Sequence, residues 1–331
     1  MQKILISMGD PAGIGPEVLV KCLARLDNHG HSDDLEPVVV GEREILEETA
    51  KALGLKILFC PDDSPRQGRV KVRSMDLVRP GDFELGKISA MCGNAAYHYF
   101  AHAVESCLAG EAQAIVTAPL NKEAMNLAGH HYVGHTDILE KMTGAETVIM
   151  ALVHPKIIVS HVTDHVPLRR ALDAITIPRI KEVVKLTWKT LVATRTHTPR
   201  IALAGVNPHA GENGLFGREE IEILRPAMEE LRAEGFPTFG PLPGDTVFLQ
   251  ALKGRFDAVL AMYHDQGFGP MKTVDMANGV NCTLGLPFVR TSPDHGTAFE
   301  IAGSGLGEPE SMIAAWELAA QLLKAQALQQ G

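Results

Sequence analysis

Short apolar runs alternate with amphipathic stretches along almost the whole chain. That rhythm restricts the fold to a layered α/β protein with a largely parallel sheet. Lys3–Met8, Pro37–Val40, Ala114–Ala118, Thr147–Leu152, Lys156–Ser160, Arg200–Ala204 and Ala258–Ala261 read as strands. Apolar residues at helical spacing predict helices beginning near Pro16 and spanning Arg43–Leu53, Gly93–Ala109, Ile177–Thr194, Arg218–Glu234 and Glu310–Gln329. Proline at position 16 suits a first helical turn, where its missing N–H is not needed. A chain of 331 residues with 45% hydrophobic content buries a sizeable core and has room for two domains.

The formal net charge is −9, and no Lys/Arg-rich run stands out. Nucleic acid and anionic membrane surfaces are therefore poor partners. No apolar run approaches membrane-spanning length, and Asp10 interrupts the N-terminal run before a signal-peptide core could form. Cys22, Cys60, Cys92, Cys107 and Cys282 show no C-x-x-C spacing, so they read as buried thiols of a reducing cytoplasm.

Three of the fourteen histidines sit in unusually punctuated contexts: His165 in Thr-Asp-His-Val-Pro, His209 in Asn-Pro-His-Ala-Gly, and His264 in Tyr-His-Asp-Gln-Gly. His209 and His264 follow the apolar runs Ile201–Ala204 and Ala258–Ala261, placing them where strands end and loops begin. Open α/β sheets keep their chemistry there. Three imidazoles meeting at one point would bind a borderline divalent metal and leave a coordination position for substrate. His98 and His102, at i and i+4 on a predicted helix, lack a supporting carboxylate, and His29 and His31 fall in a polar loop.

Two further places suit an anion. Gly9-Asp-Pro-Ala-Gly-Ile-Gly follows a strand and opens a helix, either as a tight structural turn or as a ligand-binding loop. It is neither a dinucleotide fingerprint nor a P-loop. Gly134-His135-Thr136-Asp137 precedes a helix start, where His135 and Thr136 could meet a phosphate beside free N–H groups, or Thr136 could be an N-cap. Lys272 and Arg290 are cations among apolar and turn-forming residues, which suits an anionic substrate.

Taken together, Met8–Glu17, Ile115–Lys122, Gly134–Thr136, Gly205–Gly217, Met262–Gly267 and Leu284–Gly303 resemble the 4-hydroxythreonine-4-phosphate dehydrogenase family of vitamin B6 synthesis. The resemblance implies an isocitrate/isopropylmalate dehydrogenase-like fold of two α/β/α domains with a cleft between them. Residues 1–128 plus 283–331 would form a discontinuous cofactor-side domain. Residues 129–282 would form a central domain carrying the metal ligands and the interface of a homodimer with shared active sites. His165, His209 and His264 would hold one zinc, magnesium or cobalt ion, and His135, Thr136, Lys272, Asn281 and Arg290 would contact a phosphorylated hydroxy acid. Asp245 and Lys122 are the candidates to take the alcohol proton.

His295 and Glu300 lie in a segment similar to the adenosine-holding turn of the wider superfamily. A carboxylate at position 300 suits the ribose hydroxyls of NAD and would repel the 2′-phosphate of NADP. The expected reaction is oxidation of 4-phosphooxy-L-threonine and decarboxylation to 3-amino-2-oxopropyl phosphate. Pro119–Ala124, Ala128–His130 and Asp245–Gln250 look at least as much like a second branch. That branch converts D-threonate or D-erythronate 4-phosphate to dihydroxyacetone phosphate. Asp164 stands where a threonine is expected, next to a ligand, and could tune the metal or meet an amine.

Overall fold

The computed structural model describes residues 1–28, 34–65, 68–274 and 279–330; His29 and His31 lie outside them. In chain order the described strands are β1 (Gln2–Ser7), β2 (Leu35–Gly41), β3 (Phe59–Pro61), β4 (Val70–Ser74), β5 (Ala114–Thr117) and β6 (Ile149–His154). There follow β7 (Ile157–His161), β8 (Ile201–Ala204), β9 (Thr238–Leu242), β10 (Ala258–Ala261), β11 (Val280–Leu284) and β12 (Val289–Pro293). The helices are α1 (Gly15–Asn28), α2 (Arg43–Ala52), α3 (Ala90–Leu108), α4 (Lys122–Leu127), α5 (His135–Thr143) and α6 (Leu168–Ala174). The series ends with α7 (Ile177–Thr194), α8 (Arg225–Ala233), α9 (Gly244–Leu252), α10 (His264–Val274) and α11 (Glu310–Gln330).

The chain divides into two compact units, Met1–Glu146 with Leu286–Leu323, and Thr147–Gly285 with Lys324–Gly331. In the first, strands run in the order β3-β4-β2-β1-β5-β12, and every pair is parallel. Ile4, Leu5, Ile6, Val38, Val39, Val40, Ile115 and Val116 are buried. A parallel strand covered on both faces reads as an unbroken apolar run. Residues 129–146 group with this unit rather than with the centre of the chain. There α5 packs on α3, and the Phe100 and His135 rings meet edge-on at 4.7 Å.

The second unit orders its strands β11-β6-β7-β10-β8-β9. β7, β10, β8 and β9 pair in parallel, whereas β6 runs antiparallel to both β7 and β11. The expected parallel sheet thus reverses locally, because two residues, Pro155 and Lys156, are all that join β6 to β7. So short a link closes a hairpin and cannot make a parallel crossover. Met150, Val159, Ala202, Val259, Phe248 and Phe268 pack one core over this sheet. Thr176 caps α7 by accepting from Arg179 N–H, with Pro178 in the first turn, the combination that starts a helix well.

The glycine-rich loop after β1 is a packed turn. Asp10 accepts from Ala12 N–H at 2.9 Å, and burial pushes its carboxyl up to about 6. A Cβ on Gly13 would lie 2.9 Å from the Thr297 carbonyl oxygen, so glycine is needed for close approach.

All five cysteines are free and buried, and burial pushes Cys22, Cys92 and Cys107 up to about 12. A disulfide-exchange reagent is expected to leave the native protein unmodified and to titrate five thiols after denaturation, because the thiolate is the reacting form. Rapid native-state reaction at any cysteine would contradict this burial. No described helix is long and apolar enough to cross a membrane.

Candidate functional site

Strand register explains why residues far apart in sequence meet in the second unit. β7 and β10 are parallel neighbours with His161 opposite Ala261. Residues three positions past each end are Asp164 and His264, so the two loops leave the sheet side by side. Two hydrogen bonds tie them together, Val162 N–H to the Ala261 carbonyl (2.9 Å) and Thr163 Oγ1 to the Met262 carbonyl (2.8 Å).

Ligand atoms of Asp164, His165 and His264 consequently lie within 4.8 Å of one another. This is the candidate metal centre. His209 is not in that group; it sits, exposed, beyond the end of β8, the other parallel neighbour of β10. The register brings two of the three expected histidines together and adds an acidic residue.

His264 is held on several sides. Its Nδ1 lies 2.8 Å from Asp265 Oδ1, and a carboxylate can only accept, so this contact leaves Nε2 for a metal. Phe268, one helical turn along α10, stacks on the His264 ring at 4.4 Å and on His161 at 4.8 Å. Lys272, another turn on, places Nζ 5.4 Å from the centre of the Phe268 ring. The i, i+4 spacing puts all three α10 side chains on one face.

His161, at the buried end of β7, is pushed down to about 4 by burial, then by the neighbouring His264 and His165. It therefore stays neutral while packed beneath the site. Its only sequence signal is an imidazole closing an apolar run four residues before His165.

Gly267 is what lets His161 in, since a Cβ there would overlap Nε2. Gly267→Ala is expected to destabilise the fold by about 1–3 kcal/mol through overpacking, and to weaken metal binding because α10 carries His264. Thermal melts and metal titration check this, and an unshifted melt with full affinity would show that His161 yields freely.

The first unit gathers a different set. Arg290 on β12 is 2% exposed, and its Nη2 donates to Thr117 Oγ1 at 2.7 Å. His135 is held well below the usual imidazole range by burial and then by the charges of Arg290 and Lys122. Lys122, the first residue of α4, lies over Gly134, its Cε 3.4 Å from where a Cβ would stand. Gly134 is the N-cap of α5, so Thr136 falls inside the first turn and is not the cap. Two cations, a neutral imidazole and a helix start thus cluster where an anion would be welcome.

The remaining expected residues sit apart from these contacts. Asn281 on β11 has Nδ2 3.1 Å from Met150 Sδ. Asp245 is exposed in the first turn of α9. His295 Nδ1 lies 3.0 Å from the Gly296 carbonyl, and Glu300 is exposed on a short 3-10 turn, Phe299–Ile301. Of the helical pair, His102 Nε2 faces Arg73 Nη1 at 3.0 Å, and His98 packs edge-on to Tyr97 and His130.

Comparison with known proteins gives consistent matches. D-threonate 4-phosphate dehydrogenase of Pectobacterium atrosepticum is 46% identical over 325 residues, covering 97% of this chain and 100% of the relative. 4-Hydroxythreonine-4-phosphate dehydrogenase of Beijerinckia indica is 42% identical over 323 residues, covering 96% and 94%. The crystal structure of a 4-hydroxythreonine-4-phosphate dehydrogenase from Klebsiella pneumoniae superposes with a TM-score of 0.84 at 43% identity, covering 98% of both chains. Isocitrate dehydrogenase from Methylococcus capsulatus shares the fold alone, with a TM-score of 0.51 at 12% identity and coverage of 100% and 89%. The family described as pyridoxal phosphate biosynthetic protein PdxA matches residues 33–319, and the chain belongs to that family.

Proposed function

We propose that this protein is an NAD- and divalent-metal-dependent dehydrogenase that oxidises 4-phosphooxy-L-threonine and decarboxylates the product to 3-amino-2-oxopropyl phosphate, a step of pyridoxal phosphate biosynthesis. The observation that carries the reading is the convergence of Asp164, His165 and His264 at neighbouring strand ends. Two imidazoles and a carboxylate suit zinc or cobalt better than magnesium, which prefers oxygen donors. His209 would complete the set. An ion held there would supply positive charge that eases loss of a substrate hydroxyl proton and offsets negative charge developing on that oxygen, and NAD would supply the hydride acceptor.

The chain's own residues do the rest. Asp265 and Phe268 fix the His264 ring, so its ligand lone pair is already aimed. Asp245 and Lys122 are the candidate acceptors of the alcohol proton. Arg290 supplies fixed positive charge for a phosphate, joined by Lys122 when Asp245 rather than Lys122 takes the proton, and neutral His135 and Thr136 supply hydrogen bonds; Lys272 and Asn281 are further substrate contacts. The exposed Glu300 carboxylate offers the acceptor that a ribose diol needs, and His295 is a further candidate contact to the cofactor.

The same reading makes the protein a homodimer. The five free, buried thiols support a reducing, cytoplasmic setting, and the net charge of −9 argues against nucleic acid as a partner.

A second reading, oxidation of D-threonate or D-erythronate 4-phosphate to dihydroxyacetone phosphate, is favoured by the higher identity to the D-threonate relative. The two substrate types differ by an amine against a hydroxyl. NADH appearance with zinc-supplemented protein, run on all three phosphorylated acids, separates them. Preference for the amino acid supports the first reading, preference for a sugar acid the second, and no NADH from any of them rejects both.

A further inference from the structure

The segment between β8 and the following helix contains the longest run of positive φ among the described residues. His209, Ala210, Gly211, Glu212, Asn213 and Gly214 are six consecutive residues with positive φ, between 41° and 97°. Four of them carry a Cβ, which the left-handed region crowds against the carbonyl oxygen. Such a run persists only where its surroundings over-determine it, and strain of this kind gathers at functional sites.

The surroundings are specific. Glu220 is 1% exposed and opens a single π-helical turn, Glu220–Leu224. Its Oε1 accepts from the backbone N–H groups of Val206 (2.7 Å) and Asn207 (2.8 Å), and its Oε2 accepts from Asn207 Nδ2 (2.9 Å). Asn207 in turn accepts at its carbonyl from Ala210 N–H at 3.0 Å, closing the turn that presents His209.

The glycines make room for this carboxylate. A Cβ on Gly211 would stand 2.6 Å from Glu220 Oε2, and one on Gly205 3.3 Å from Oε1. A Cβ on Gly217 would overlap Asn207 Nδ2. Glycine spacing, buried carboxylate and left-handed turn are one device, with an exposed imidazole at its tip.

We infer that Glu220 is a positioning residue for His209, clamping the left-handed turn so that this imidazole is presented to the metal centre. The inference rests on the proposed ligand role of His209. Glu220 touches neither substrate nor ion; it acts through Asn207 and the backbone at 206 and 207. Outer-shell partners of this kind commonly set metal affinity by about 10–100-fold.

A double-mutant cycle on the metal-free, full-length protein tests it, with Zn2+ alone as the probe. Affinity would be measured by competition with a chelating dye, well below the melting temperature. His209→Ala is expected to weaken Zn2+ binding, and Glu220→Gln to weaken it by about 10–100-fold. The double variant is expected to match His209→Ala within about twofold, because a clamp has nothing left to position. A merely structural glutamate would lower the melting temperature and leave the affinity of the folded protein unchanged.

Wild-type affinity in Glu220→Gln, or a double variant whose loss is the product of the single losses, would overturn the inference. Unchanged affinity in His209→Ala alone would instead reject the ligand role and the inference with it. Should Glu220→Gln fail to fold, Asn207→Ala enters the same cycle with the same expected non-additivity, and additivity there would be equally fatal.

Discussion

His264→Ala is expected to remove bound metal and turnover together. His264 stands in the one metal-suited group among the described residues, and Asp265, Phe268 and His161 all bear on its ring. Alanine removes the ligand atom and leaves a hole between Phe268 and the loop after β7. An ion contributes several kcal/mol of charge stabilisation in reactions of this type, so kcat should fall by about a thousandfold or more. Metal content by mass spectrometry and NADH formation by absorbance are read on the same sample. Stoichiometric tightly bound metal in an inactive variant would move the centre elsewhere. Asp265→Asn is the graded control: its side chain is largely exposed, so only a modest loss of affinity is expected, by relaxation of the imidazole's orientation.

The parts of the fold legible in the sequence are those whose burial is complete. Strands β1, β2, β5, β8 and β10 announce themselves because the centre of a parallel strand covered on both faces is an unbroken apolar run, and the antiparallel pair β6 and β7 because both are buried throughout. The hidden strands are the impure ones. β9 contains Gly240 and Pro241 and pairs only with β8 among the described strands, and an edge is a setting where a sheet tolerates proline. β12 carries Arg290, Thr291 and Ser292, all buried, so its polarity conceals its depth. α10 includes Gly267, Gly269 and Pro270, and its identity as a helix comes from packing on the sheet rather than from propensity.

The site divides the same way. His264 is legible because strand ends collect chemistry, and His165 because the flanking Asp164 and Pro167 fix the backbone. Asp164 drew attention only as an oddity beside a ligand, since nothing in a linear sequence says which face of a loop points at a neighbouring strand's end. His161 was invisible because a histidine closing an apolar run looks like an ordinary core residue. The left-handed turn at His209 was hidden for a deeper reason. Four of its six residues are not glycine, and the carboxylate that sustains it lies eleven residues beyond His209 in sequence.

Arg290 is where loss of a single side chain should most damage substrate binding. It lies on β12 opposite Ile115 of β5, almost fully buried, with one nitrogen donating to Thr117 at the strand's end. Burial, then the charges of Arg290 and Lys122, hold His135 well below the usual imidazole range, so it stays neutral. Positive charge in this cluster therefore comes from Arg290 and Lys122, while the imidazole offers a hydrogen bond and no charge of its own. A guanidinium presents two parallel N–H donors to a phosphate, and an ammonium presents one point of charge. Arg290→Lys should raise KM while leaving metal content intact. Arg290→Met should raise KM further, by about 30-fold or more, the range for losing one partner of a buried charge pair at about 2–5 kcal/mol. An unphosphorylated hydroxy acid should lose little on either substitution, because the missing contact is one it never made. Equal losses on phosphorylated and unphosphorylated substrates would reject the phosphate role and mark Arg290 as structural, held only to keep β12 beside β5.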